Sequence, residues 1–454
     1  MKKIILPLAL TALTALAFTG CAGEEDDIFS ATAAERLNES SAKYSARLEA
    51  QPNGWAMQYY PTYSDQYPQG SGYLILMDFN PDYSVRVAMD NRFSGNAYLS
   101  DVSGWEVIKD NGPVLSFNTF NKCMHAFSDP EDIPWTADEN EQSEGCAGDY
   151  EFIIVDAPED ASYMMLKGKK RNTYNLLTPI EEGVDYQEYL ADVKSFHNRI
   201  FPANALCGAL MYFGDSIFRM DGASNGLPNI YLLGSDSIAN EDFRPFLLTK
   251  RGDDYYIRFR DAFEKDYMEG ELQELRYDSI TTEFVGTGNP KFRISGYYPG
   301  WFVAEKMLAS SKFQITNSSE KSEYMATVYD NMRNTLTDKL KYTISSTQLS
   351  INRNEPDVLK VDITYRVRRG TQYVTGHLIA NYPFSYDEHT ITIGEMTPDE
   401  NTKNVMKDIP ALADFFNALT GKYNVEGSSS PYNLRNMRLT KEGNADHWLI
   451  INYV

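Results

Sequence analysis

Short apolar runs, broken every few residues by turn formers, constrain the fold of this chain more than any other feature. "WAMQYY", "GYLILMDF" and "YSVRVAM" follow one another, with Asn80-Pro81-Asp82 between the last two. "PVLSFNTF" comes directly after Asp110-Asn111-Gly112, a strong hairpin signal. "DYEFIIV", "SYMMLKG" and "TYNLLTPI" complete the meander. Runs of this length are strands, and strands at this spacing build barrel-like or sandwich-like sheets. The 31 tyrosines push the same way, because aromatic side chains suit a half-buried pleated surface. The expected fold class is α+β and β-rich: antiparallel meander, barrel-like or sandwich-like sheets with a few flanking helices.

Helical signals divide the strand runs into blocks. Thr32 and Glu35 have capping-box spacing, and Ala33, Leu37, Tyr44 and Leu48 then fall on one helical face. Pro52-Asn53-Gly54 ends that helix. "DYQEYLADVKSFHNRIF" predicts a second helix near 185–201. Strands "IYLLG", "PFLLTK", "DYYIRFR", "LQELRYD" and "FRISGYY" follow it. A polar helix, "SEKSEYMATVYDNMRNTLTDKL", leads into the long strands "YTISSTQLSIN" and "VLKVDITYRVRRG". "DIPALADFFNALTGKY" is a helix with Pro410 in its first turn, and "HWLIINYV" is a closing strand. The expected blocks are a β-rich unit over 28–184, a second over 185–305 and an α+β unit over 306–454. No sequence repeat of fixed period accompanies them.

The amino terminus addresses the chain. Lys2 and Lys3 precede an apolar core, Ile4 to Phe18, of secretory-signal length. Thr19 and Gly20 are small, and Cys21 follows. This pattern resembles the lipobox of bacterial lipoproteins, with Phe18 where Leu is more usual. The resemblance implies a signal peptide over 1–20 and acylation of Cys21. Several acyl chains anchor firmly, since each buried methylene adds about 0.8 kcal/mol. Glu24, Glu25, Asp26 and Asp27 make 21–27 an acidic tether. Such a cluster resembles the export signal of Bacteroidota surface lipoproteins, and acids also suit a solvated tether. No other segment approaches the 18 apolar residues of a membrane-spanning helix.

Charge and cysteine use bound the partners. Without Lys2 and Lys3, 40 basic residues face 64 acidic ones, a net charge of −24 that repels nucleic acid and anionic lipid. Cys123 and Cys146 flank one long loop and are the candidate disulfide; three thiols allow three pairs, and loop placement alone selects this one. Closing such a loop is worth about 3 kcal/mol in the chain-entropy model. Cys207, in the apolar run "ANALCGALMYF", is expected to be a buried free thiol.

One family matches several stretches in order: "ERLNESSAKYSARLEAQPNGWAMQYYP", "GPVLSFNTFNKCMHAFSDP" and "GDYEFIIVDAPEDASYMMLKGKKRNTYNLLTPI". An N-G-W turn, a G-P-V-L-x-F strand, an F-S-D-P corner and an L-K-G-K-K strand recur there. From about 28 to 180 the chain resembles the Bacteroidota lipoprotein family called domain of unknown function 4302. The resemblance implies an outer-membrane lipoprotein, often encoded beside SusC/SusD-like uptake systems and metallopeptidase lipoproteins. It brings no known activity and no functional residue.

The chemistry is sparse. His125, His197, His377, His389 and His447 include no i,i+4 pair and no H-E-x-x-H, and there is no G-x-S-x-G elbow. Cys123 and His125, two apart on an expected strand, would share a face as packed neighbours or as a nucleophile and base. Asp129, Glu131, Asp132 and Asp138 open an acidic loop of oxygen ligands, but their spacing matches no calcium-binding loop and no metal or cofactor is expected. Arg251-Gly252-Asp253 reads as a hairpin turn. The aromatic clusters carry most promise. Tyr59, Tyr60, Tyr63, Tyr67 and Tyr73 surround one expected loop, and Tyr297, Tyr298 and Trp301 another. Rings on loops stack on sugars or grip a peptide; equally, tyrosines pack at strand ends.

These features favour a surface-exposed outer-membrane lipoprotein, a non-catalytic binding component that holds a peptide or glycan for an importer. The alternatives are a structural partner in an outer-membrane complex and a hydrolase with dispersed residues.

Overall fold

The computed structural model describes residues 32–67, 69–110, 112–129, 146–203, 208–235, 237–265 and 270–454. Cys21, the signal peptide, the acidic tether, Cys207, Glu131, Asp132 and Asp138 lie outside the described residues. The helix Ala33–Glu49 starts as its sequence dictates. Thr32 Oγ1 accepts from the Glu35 N–H at 3.2 Å, and Glu35 Oε2 accepts from the Thr32 N–H at 2.9 Å. Three antiparallel sheets follow, spanning residues 55–179, 209–296 and 313–453.

The three sheets share a topology. With the strands of each numbered along the chain, the orders are 4-3-2-1-9-8-7-6-5, then 3-2-1-8-7-6-5-4, then 3-2-1-9-8-7-5-4-6. In every one the opening strand pairs with both the second and the last: Trp55–Tyr59 with Tyr174–Pro179, Ala209–Phe213 with Arg293–Gly296, and Phe313–Ile315 with Trp448–Tyr453. Each sheet therefore curls into a barrel-like unit. The first is drawn round because its two edge strands, Leu99–Gly104 and Glu106–Lys109, are joined by the single buried residue Trp105. In the second, the edge strand Asn229–Leu232 meets Phe243 in a bridge just before the opposite edge begins. The third closes outright, because Glu355–Arg369 pairs with Gln372–Tyr386.

Helices lie between these sheets. Tyr186–Ile200 is clamped by the first two: Ala56, Leu74, Leu76 and Ala88 from the outer face of the first sheet share a core with Leu190, Val193 and Phe196. The alternate residues Trp55, Met57, Ile75 and Met77 fill the interior of the first sheet. Burial on both faces explains why these strands read as unbroken apolar runs. Phe196 stacks on Tyr255 at 3.8 Å, fixing the helix against the second sheet. In the third unit Leu412, Phe415 and Phe416 of the helix Pro410–Ala418 pack beside Met325 and Tyr329 of Glu323–Leu340.

Two local expectations change, and one strand was not expected. "GYYPGWF" is no loop: Pro299 opens the helix Pro299–Leu308, where its missing N–H costs nothing. His125 sits in a short 3-10 turn, His125–Phe127, not on a strand. The strand Gln372–Tyr386, interrupted in sequence by Gly376 and Pro383, lacks a sequence signal. Arg251 and Asp254 pair across Gly252, so the Arg251-Gly252-Asp253 tripeptide forms the tip of a hairpin. Among the described residues no helix is long and apolar enough to cross a membrane, which leaves strand-based crossing unaddressed.

Candidate functional site

A cleft that brings rings, carboxylates and an imidazole together lies where the second and third sheets meet. Strand Ala209–Phe213 of the second sheet carries Tyr212, and strand Glu283–Gly286 carries Glu283. Strand Arg293–Gly296 runs into Tyr297 and Tyr298 before the helix Pro299–Leu308 turns the chain away. The third sheet contributes His389 from a turn and Glu426 from Gly421–Gly427. Together they bound a cavity of about 460 Å³. The walls meet closely at Gly296, where a β-carbon would stand 2.2 Å from the Pro431 carbonyl oxygen.

The rings are held from behind. Tyr212 Oη and Tyr298 Oη are 3.4 Å apart. The Arg293 guanidinium lies 4.2 Å from the Tyr212 ring centroid and 3.7 Å from Glu283 Oε2. Tyr298 meets Trp301 edge to face at 4.9 Å and His389 at 5.6 Å. Tyr297 accepts from Arg219 Nη1 at 3.3 Å, and the same guanidinium donates to both carboxylate oxygens of Glu305, at 2.9 and 3.2 Å. Arg219 Nε donates to Asp221 at 2.9 Å. Burial opposes ionisation of Glu305, but the Arg219 hydrogen bonds outweigh it and hold the carboxyl below its usual range. Burial, with the Tyr212 hydroxyl beside it, raises Tyr298 well above the ordinary phenol range, so it stays protonated at neutral pH. Protonated phenols donate and accept, carboxylates accept, and the rings cover C–H surfaces. Those are the contacts a sugar ring or a peptide group needs.

Of the aromatic residues expected to touch ligand, Tyr297 and Tyr298 line this cleft, although both are largely buried. Trp301 backs it from the helix. The first cluster does not form one surface. Tyr59 is fully buried, its hydroxyl donating to the Asp149 carbonyl at 3.0 Å, and Tyr73 packs on Phe93 and Phe127. Tyr60 is buried at the junction with the second sheet and donates to the Arg258 carbonyl at 3.3 Å. A β-rich chain spends such rings at strand ends to fill corners between sheets. Tyr63 and Tyr67 remain 45% and 50% exposed, beneath Arg260 and Arg92 respectively. Tyr67 reaches a second, smaller cleft of about 280 Å³ between the first two sheets. Its Lys194 is already engaged by Asp90 at 2.6 Å and the Asn96 carbonyl at 3.0 Å. Tyr212, Arg293, His389 and Glu426 carried no sequence signal: they are scattered over more than 200 residues and meet only in the fold.

The expected disulfide does not form. Cys123 and Cys146 are free, both buried in the first core. The Cys123 sulfur lies 3.5 Å from the Val87 carbonyl and 3.7 Å from that of Leu99, which turns it into the sheet. His125 points elsewhere, its Nδ1 accepting from the Asn121 N–H at 3.1 Å while its ring stacks on Tyr150. Burial pushes both thiols up to about 12. A thiol-specific alkylating reagent at pH 8 is therefore expected to leave Cys123 and Cys146 unlabelled in the native protein and to label both in denaturant. Peptide mass mapping checks this, and a reducible cross-link between the two peptides would show the pair bonded after all. Among the described residues no group of three His, Cys, Asp or Glu side chains is placed to hold a metal ion, and Asp129 stands in no such group.

No curated protein matches this chain. Among solved structures, a Pseudomonas aeruginosa DNA polymerase sliding clamp is 10% identical, with 92% of this chain and 97% of that chain covered and a TM-score of 0.13. The DNA polymerase III beta chain of Streptococcus pneumoniae is 9% identical, with 88% and 90% covered and a TM-score of 0.12. At these TM-scores the likeness carries no argument about fold or function. The family model described as Domain of unknown function (DUF4302) matches residues 25–268, more than half of the sequence, and the chain belongs to that family.

Proposed function

We propose that this protein is a lipid-anchored outer-membrane protein, displayed on the cell exterior, that holds a peptide or glycan for an uptake system of the SusC/SusD-like kind. The observation that carries the binding role is the cleft between the second and third sheets, where Tyr212, Tyr298 and His389 face Glu283 and Glu426. Clefts between packed units, with rings and a few polar groups converging, are where small ligands most often sit. The lipid anchor rests on the small residues Thr19 and Gly20 before Cys21, and the outward placement on the acids that follow.

Glycan and peptide arrays probed with the chain from residue 28 onward test the binding role. A ligand found there is expected to bind about tenfold more weakly to His389→Ala, and measurably more weakly to Tyr212→Phe, which removes one hydroxyl. Silence of folded protein on both arrays overturns the reading. Mass spectrometry of the native amino terminus tests the anchor: an unmodified Cys21 thiol, or a different first residue, rules it out.

A further inference from the structure

Although the third sheet closes on itself, the first half of strand Gln372–Tyr386 runs past its neighbours and leaves one edge open. Strands Glu355–Arg369 and Gln372–Tyr386 pair without a register break from Val358↔Pro383 to Arg369↔Gln372. On one side, Thr343–Asn352 covers this ribbon only as far as Arg366. On the other, Gln372–Tyr386 is covered at Phe384–Tyr386 and at Ala380–Asn381. Next, the Ile379 N–H donates to Thr402 Oγ1 at 2.7 Å, and the Ile379 carbonyl accepts from the Asp399 N–H at 3.0 Å. The His377 carbonyl accepts from Asn401 Nδ2 at 2.9 Å. There the cover stops. In an antiparallel strand the N–H and C=O of one residue point the same way, and successive residues alternate. Ile379 and His377 set the parity, so Thr375 and Tyr373 present their backbone groups to the same open side. Among the described residues nothing pairs with them there.

Side chains around this edge have a consistent character. Residues directly opposite share a face, so Arg366 lies beside Thr375 and Arg368 beside Tyr373. Arg369 stands at the turn. From Ile363 to Tyr386 the chain has no acidic residue, in a protein whose formal net charge is −22. On that face of the neighbouring strand Asp362 is already held by His377 Nδ1 at 2.9 Å and by Lys360 at 3.6 Å, and Glu400, beside the covered end of the edge, lies 3.9 Å from Lys403. Tyr373 is 70% and Val374 40% exposed. Natural sheets generally protect such an edge with a bulge, a proline or a covering segment.

We propose that the edge Tyr373–His377 is completed by one strand of a partner protein, an extended acidic peptide segment. Tyr373 and Thr375 each offer it one donor and one acceptor, and His377 its N–H. This is recognition by strand addition, in which the backbone supplies affinity and alternate side chains supply selectivity. An added strand stands about 10 Å from Glu355–Arg369, one strand beyond its neighbour. A glutamate on its outer face and Arg366 or Arg368 together cover that distance. The backbone edge favours a peptide over a polyanionic glycan, because its donors and acceptors alternate at the spacing of another strand.

The test uses the chain from residue 28 onward and three fluorescent peptides at low ionic strength, where ion pairing is least screened. One alternates Glu and Val, one replaces Glu by Gln, and one carries a central Pro. Fluorescence anisotropy is expected to show binding of the first, about tenfold weaker or absent for the other two. The Thr375→Pro variant removes an N–H that makes no ladder bond, and such edge positions tolerate proline. It is expected to melt as the wild type does and to lose the acidic peptide. The double variant R366E/R368E is expected to lose it as well. Undiminished binding by Thr375→Pro, equal binding of the proline peptide, equal binding of a sulfated polysaccharide, or no binding of the acidic peptide each overturns the proposal. All of these outcomes are independent of the ligand arrays that probe the cleft.

Discussion

Tyr432→Ala is expected to lower the unfolding free energy by about 3–5 kcal/mol, the cost of truncating a fully buried aromatic side chain. Tyr432 belongs to the third unit, in the turn between strands Gly421–Gly427 and Asn436–Lys441. Its ring is nevertheless part of the second core, against Phe201 at 5.5 Å and Phe284 at 6.3 Å. Its hydroxyl lies 2.9 Å from the Ile294 carbonyl and 3.0 Å from that of Thr282, and donates to that pair. The Tyr432 carbonyl accepts from the Gly208 N–H at 3.0 Å. One side chain thus pins the second and third sheets together beside the cleft. Tyr432→Phe keeps the ring and is expected to cost only about 1–2 kcal/mol, for the buried hydroxyl hydrogen bond that is lost. Urea denaturation of the three proteins gives the ranking, and an alanine variant as stable as wild type refutes the pinning role. Because Thr282 also lines the cleft, the alanine variant is further expected to weaken any ligand found there.

Gly54→Ala is expected to be the most damaging single-methyl change. Gly54 sits at φ +70°, which costs a residue with a β-carbon roughly 1–2 kcal/mol. Its β-carbon would also stand 2.0 Å from the Met77 carbonyl oxygen and 2.8 Å from the Asp78 α-carbon, backbone atoms in a paired strand. Overpacking of that kind typically adds 1–3 kcal/mol, so the total loss is roughly 2–5 kcal/mol. The neighbourhood explains the tightness. Asn53 Nδ2 donates to the Glu181 and Val184 carbonyls at 2.8 and 2.9 Å, and Tyr186 donates to the Asn53 carbonyl at 2.9 Å. The turn therefore ties the first strand to the start of the helix Tyr186–Ile200. Gly54→Asn separates the two causes, since asparagine tolerates the left-handed conformation but keeps the β-carbon. Thermal melting is expected to show both variants strongly destabilised; a near-native melt for the asparagine variant means the backbone angle alone matters.

The same turn shows how far the sequence could be read. The N-G-W motif marked a chain reversal, and the glycine's left-handed angle bears that out. The carbonyl it must approach belongs to a strand more than twenty residues away, and no local pattern announces it. Thr32 and Glu35 were legible for the opposite reason: both partners of the capping box lie within one turn of helix. Tyr297 and Tyr298 were legible as a cluster but not as two different environments, with Tyr297 locked by Arg219 and Tyr298 set against Trp301 and His389. Cys123 and Cys146 looked paired because the loop between them suggested closure, and the direction of the Cys123 sulfur is set by strands outside that loop.

Local interactions determined the strand and helix signals, the caps, the turns and the acidic charge of this protein, because each depends on residues a few positions apart. The pairing of each sheet's first strand with its last joins segments between about 80 and 140 residues apart. Only the tertiary structure decided it, and with it the curl of the sheets, the cleft and the open edge. Closure depends on matching register and twist around a whole sheet, a condition no short stretch of sequence expresses.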